Sequence, residues 1–192
     1  MSAEESASDF DAPQLRGLKR LALMARRLGW FTGLGRPLTT RERMDAEAYV
    51  AALGFPDVTV APVADWEEAE SCVRNPGWNT AWWEAEEQLR AALLADALAQ
   101  AEEHDVMRAL TLVAAAASDV VHGAAEAAAE RDGVSDPALI RCAAGAATQA
   151  AYQAALLLAA GADDDHAFAA KFRLFAAGRW PLGIVGQTFN LF

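Results

Sequence analysis

The chain has 192 residues, 54% of them hydrophobic, and a net charge of −11. That length supports a sizeable core, and the apolar content excludes disorder over most of the chain. The charge is uneven: residues 1–13 carry −4, 14–43 carry +7, 44–136 carry −15 and 137–192 carry +1. An acidic body with one basic segment argues against nucleic acid as a partner.

Alanine-rich stretches with sparse Val, Ile and Thr favour helix. The expected fold is all-α, a single-domain helical bundle of about seven helices over residues 11–192 with a short C-terminal β-hairpin. Residues 1–10 are expected to form a flexible acidic N-terminus. They lack the basic flank and apolar run of a signal peptide. Two cysteines, Cys72 and Cys142, lie far apart without CxxC spacing. They are read as reduced, buried thiols of a cytoplasmic protein.

In chain order, Asp11-Ala-Pro13 opens helix one, which runs to about Leu28 and stops at Gly29. Thr39 and Glu42 have capping-box spacing for helix two, ending near Gly54. The segment FPDVTVAPV is extended and bounded by prolines. Asp65 caps a short helix carrying Trp66 and Cys72, and RNPG ends it. From Asn79 to Arg131 only Gly123 interrupts the pattern. One helix of that length would span about 75 Å, so a break is expected near His104-Asp105, with Asp105 as cap. Gly133 stops the second half, Ser135 or Asp136 caps the next helix, and Pro137 opens it. Residues 138–160 reach membrane-spanning length, but Arg141, Gln149 and Gln153 within them and acidic flanks argue for a buried bundle helix. The last helix covers about 165–177, after which LGIVGQTFNLF turns at Gly186-Gln187. A tail ending in Phe189, Leu191 and Phe192 is expected to pack near Trp180.

Asp119, His122 and Glu126 share an arc of about 80° with Glu130 on one helical face. Such a stripe could hold a metal, yet it lies opposite the apolar arc of Val106, Leu110, Val113, Val120 and Val121, so the stripe reads as the solvated side. Glu84-x-x-Glu87 and Glu102-x-x-Asp105 resemble the paired carboxylates of all-α nucleotide pyrophosphohydrolases. That resemblance implies magnesium held between the pairs, activating water against a phosphate. On one straight helix the pairs stand about 27 Å apart, so sharing an ion requires a turn within residues 88–101. Asp163-Asp164-Asp165-His166 could ligate a divalent cation but lacks the alternating ligand spacing and glycine of a calcium loop; it reads as a helix start, which favours negative charge.

Helix one sets Arg16, Lys19, Arg20, Arg26 and Arg27 against Leu18, Leu21, Met24, Ala25 and Leu28. Its basic face is expected to meet the acidic body. Among Trp78, Trp82 and Trp83, Trp82 shares a face with Leu89 and Leu93 and reads as core, whereas Trp83 lies about 100° away and faces a pocket or interface. No reaction follows from these patterns. The expectation is a binding or interaction module for a protein or small molecule, with a second copy of the chain among the partners considered. No resident cofactor is expected. The alternative is a divalent-metal-dependent enzyme built on the carboxylates above.

Overall fold

The computed structural model describes residues 15–192. The expectations for residues 1–10 and for the Asp11-Pro13 cap lie outside the described residues. Among those described there are seven helices and a three-stranded sheet. They run α1 (Arg16–Ala25), α2 (Thr40–Ala52), β1 (Thr59–Pro62), α3 (Trp66–Val73), α4 (Thr80–Gln100), α5 (Glu103–Arg131), α6 (Pro137–Ala159), α7 (Ala167–Ala176), β2 (Pro181–Val185) and β3 (Thr188–Leu191).

The caps explain most boundaries. Thr39 and Glu42 form the reciprocal capping box of α2. Asp65 caps α3, and Asp136 caps α6 with Pro137 in the first turn. Three boundaries differ from expectation. α1 ends at Ala25, capped at Arg26, rather than near Leu28. The break between α4 and α5 falls at Ala101-Glu102, not at His104-Asp105. Gln100 ties the end of α4 to α6 by donating from Nε2 to Ala160 O at 2.8 Å. Starting α5 at Glu103 keeps buried Val106 on the helix and puts Glu103 and Asp105 in the first turn, where the dipole favours them. The last helix starts at Ala167, capped by His166, whose Nδ1 accepts from the Phe168 N–H at 3.0 Å. Asp165 lies outside that helix.

Two apolar clusters organise the fold. In the larger, α5 and α6 pack along their lengths through Ala109, Ala116, Ala117 and Ala125 against Ala143, Ala147, Ala150 and Ala151, with α1 laid across them. By length and composition α5 could cross a membrane; here it is packed against α6 and α1. The smaller cluster joins α2, α7, the start of α4 and the sheet through Tyr49, Val50, Trp82, Leu174, Phe189 and Leu191.

The terminal hairpin forms, and the extended segment before α3 joins it. Strand order is β1-β3-β2, with β3 parallel to β1 and antiparallel to β2. β1 satisfies the backbone edge of β3 that the hairpin alone leaves unpaired. Phe192 exchanges backbone hydrogen bonds with Trp180, and its ring stands edge-on to Trp66 at 5.4 Å. The tail is therefore core.

Where α7 ends, Gly178 approaches the α1–α2 loop so closely that a Cβ there would lie 2.5 Å from Gly33 N. The next residue, Arg179, is 2% exposed. Its Nε and Nη2 donate to the two oxygens of Glu42 at 2.9 and 3.2 Å. Its Nη groups also donate to the carbonyls of Gly33, Arg36 and Pro37. Burial alone would raise the pKa of Glu42, but hydrogen bonds from Arg179 and Thr39 outweigh it and hold the carboxyl below its ordinary value.

Replacing Arg179 with Leu should cost about 3–5 kcal/mol in urea unfolding, because it leaves Glu42 charged and unpaired. The His166 cap makes stability depend on pH. Burial lowers the His166 pKa below its ordinary 6.5, against the opposing charge of Asp165. Its contribution is complete above 6.5 and is lost as pH falls through the lowered folded-state value, since the unfolded chain takes the proton first. Unfolding midpoints between pH 7.5 and 5.5 should therefore fall more in the wild type than in His166→Asn, whose side chain caps without titrating there (range set by the ordinary histidine value of about 6.5).

Candidate functional site

The start of α4 is pinned to β2. Asn79 caps the helix through its side chain, and its N–H donates to Ile184 O at 2.8 Å. Trp78 and Trp82 lie edge-to-face at 5.3 Å over Gly183. That glycine has φ +115°, and a Cβ on it would meet Trp78 Nε1 at 2.7 Å and Trp82 at 2.9 Å. A left-handed glycine is thus what lets two indoles lie on the strand. Trp83, the next residue, is 48% exposed.

One turn beyond Trp82 on the same face comes Glu86, 2% exposed. Its Oε1 accepts from the Tyr49 hydroxyl of α2 at 2.5 Å and from Lys171 Nζ of α7 at 2.6 Å. Lys171 is 4% exposed, and its ammonium lies 5.9 Å from the centroid of the Tyr49 ring. Burial, then the charge and hydrogen bond of Glu86, push the Tyr49 phenol well above its ordinary value. Tyr49 therefore remains an O–H donor.

Glu86 and Lys171 line a cavity of about 210 Å³. Trp78, Trp82, Trp83 and Trp180 supply aromatic wall, and α6 contributes Cys142, Ala146 and Gln149. Neither cysteine is buried as expected: Cys72 is half-buried and Cys142 is exposed. Partial desolvation still raises the Cys142 thiol, so it is not an activated thiolate. Two polar groups beside this site have no hydrogen-bond partner: the Trp82 indole N–H and both side-chain atoms of Gln153, which is one turn past Gln149 on α6.

Of the residues singled out by sequence, Trp82 is core and Trp83 lines this cavity. The carboxylates of the pyrophosphohydrolase-like pattern stay apart. Because α4 is unbroken to Gln100, Glu84 and Glu87 stay near its start while Glu102 and Asp105 lie past its other end, at the start of α5; Gln100 is already about 20 Å along the helix from Glu87. Glu84 is exposed, and Glu87 pairs with Arg90 at 2.6 Å, a hydrogen bond that lowers the Glu87 pKa. Asp119, His122 and Glu126 are exposed. Asp119 pairs with Arg26 at 2.9 Å, so helix one does meet the acidic body there. His122 lines an open groove between α5 and α6 with Arg141. Arg16 and Arg20 are exposed on α1, Arg27 is exposed just beyond its end, and Lys19 is half-buried; Met24, expected inside, is 45% exposed. Among the described residues no three His, Cys, Asp or Glu side chains are grouped to hold a metal ion.

Glu86, Lys171 and Tyr49 were not singled out by sequence. The available signal was a charged residue on an apolar arc: Glu86 shares the Trp82–Leu89–Leu93 face, and Lys171 sits inside FAAKF. No protein-family model, curated protein or solved structure matches the chain.

Glu86→Ala should lower stability by about 3–5 kcal/mol in urea unfolding, since Lys171 is left buried without its counter-ion. Combining Glu86→Gln with Lys171→Met, which removes both charges, should recover most of that loss.

Proposed function

We propose that this chain is a helical binding module whose ligand site is the tryptophan-walled cavity between α4, α6, α7 and β2. The observation carrying this reading is the Glu86–Lys171 pair at the cavity. A buried ion pair contributes little net stability, and apolar replacements of similar volume often fold as well or better. Its position against an aromatic-lined space fits a role in recognition, because ligand sites combine apolar walls with a few placed polar groups. The indoles offer faces and edges to a flat apolar body. Lys171 supplies a charged donor for an oxygen acceptor at one end of it. Trp83, half in solvent, stands where such a ligand would be covered.

The groove along Leu21, Met24, Leu157 and Phe172 lacks this combination: its floor is apolar, but its charged residues lie at or near the surface.

Isothermal titration with 2-naphthoate, a flat apolar acid, tests the reading. One saturable site is expected. Ala146→Phe, which fills the cavity from α6, should weaken it by about ten-fold or more, the scale of 1.4 kcal/mol. Absence of saturable binding, or equal affinity in Ala146→Phe, would overturn the assignment.

A further inference from the structure

We propose that Lys171 is an imine-forming amine, and that the ligands of the cavity include aldehydes or ketones carried on a flat apolar body. This rests on the cavity being a ligand site, and it adds a covalent step to that reading.

The residue choice is the first observation. The chain contains sixteen Lys and Arg in all, and only Lys19 and Lys171 are lysine. The other fully buried cation, Arg179, is an arginine whose fork is saturated by Glu42 and three carbonyls. Arginine suits a structural pair because its planar fork is always charged. The cation beside the cavity is instead the one whose nitrogen becomes a nucleophile on losing a proton.

The surroundings are the second. Glu86 Oε1, 2.6 Å from Nζ, is placed to take that proton. Tyr49, held as a phenol, donates to the same oxygen and fixes the position of the carboxylate beside Nζ. The indoles that wall the cavity shield part of it from the water that drives an imine back to amine and carbonyl.

The step balances without any further reagent. The ammonium passes one proton to Glu86. The freed Nζ lone pair attacks the carbonyl carbon, the π pair of C=O moves to oxygen, and that oxygen takes one of the two protons on the attacking nitrogen, giving a neutral carbinolamine. Loss of that hydroxyl, with a proton returned by Glu86, releases one water and leaves a C=N bond whose nitrogen carries a proton. One positive charge enters and one remains, now on the iminium, with Glu86 as its counter-ion. Cys142 also lines the cavity but plays no part, since desolvation keeps it as the thiol.

The test uses 2-naphthaldehyde, which has the body of 2-naphthoate and no conjugate-addition position for Cys142. The full chain is incubated with the aldehyde and cyanoborohydride, digested, and mapped by mass spectrometry for naphthylmethyl amines. Lys171 should be labelled at least about ten-fold faster than Lys19, as expected for an amine with a bound carbonyl, and 2-naphthoate should protect it. Lys171→Arg keeps a cation against Glu86 and should leave only background on Lys19 and the chain's amino terminus. The wild-type map is decisive even if that variant does not fold. If naphthoate binds but Lys171 is labelled no faster than Lys19, the imine proposal falls while the ligand site stands. If naphthoate fails to bind and does not protect Lys171, both fall.

Discussion

The guanidinium of Arg179 and the carboxylate of Glu42 form the contact on which the arrangement around the cavity depends. A carboxylate taken into the interior needs its charge answered and its lone pairs filled. Glu42 achieves both by serving as the capping-box residue of α2 and the partner of Arg179. The same arginine gathers the carbonyls of the α1–α2 loop, so the end of α7 and the start of α2 are joined through one side chain. Asp45, accepting from Arg173 of α7 at 2.8 Å and paired with Arg41 at 3.1 Å, ties the helices again one turn along. With α2 and α7 side by side, Tyr49 and Lys171 converge on Glu86 from different elements. The site is thus a consequence of how α2 is anchored.

The two buried acid–base pairs do different physical work. Around Arg179 the donors are matched to fixed acceptors in a glycine-tightened corner, which leaves nothing to respond to a ligand. Around Lys171 the contacts are fewer and one side is cavity. Glu86 takes both of its hydrogen bonds on Oε1. Polar atoms without partners, in Trp82 and Gln153, lie in the same neighbourhood. Orphaned buried groups are uncommon in folded chains and concentrate where stability is not the only requirement.

Features written in neighbouring residues were legible from sequence. The Thr39–Glu42 box, the Asp65 cap and the Asp136-Pro137 start need only local spacing, and each forms as read. Trp82 and Trp83 were separable because 100° per residue decides their faces. Less legible was anything that depends on packing between distant elements. The α4–α5 break is set by Gln100 reaching Ala160, sixty residues away. His166 displaced three aspartates as the cap because the helix starts where Phe168 can be buried. Glu86 and Lys171 are eighty-five residues apart, and neither alone predicts the other. The carboxylate pairs show the converse: their local spacing matched a pattern, yet an uninterrupted α4 holds them apart.

The strand order has a consequence for synthesis. β3 lies between β1 and β2, yet it follows both in the chain. While the ribosome makes everything from Thr59 to Thr188, at a few to tens of residues per second, β1 waits roughly ten seconds for its partner. During that interval its backbone edge is open to any other strand in the cell. Pro56 precedes it and Pro62 ends it, and neither offers an N–H to a neighbouring strand. Only four residues long, β1 is a poor template for a stray nascent chain until its own partner emerges.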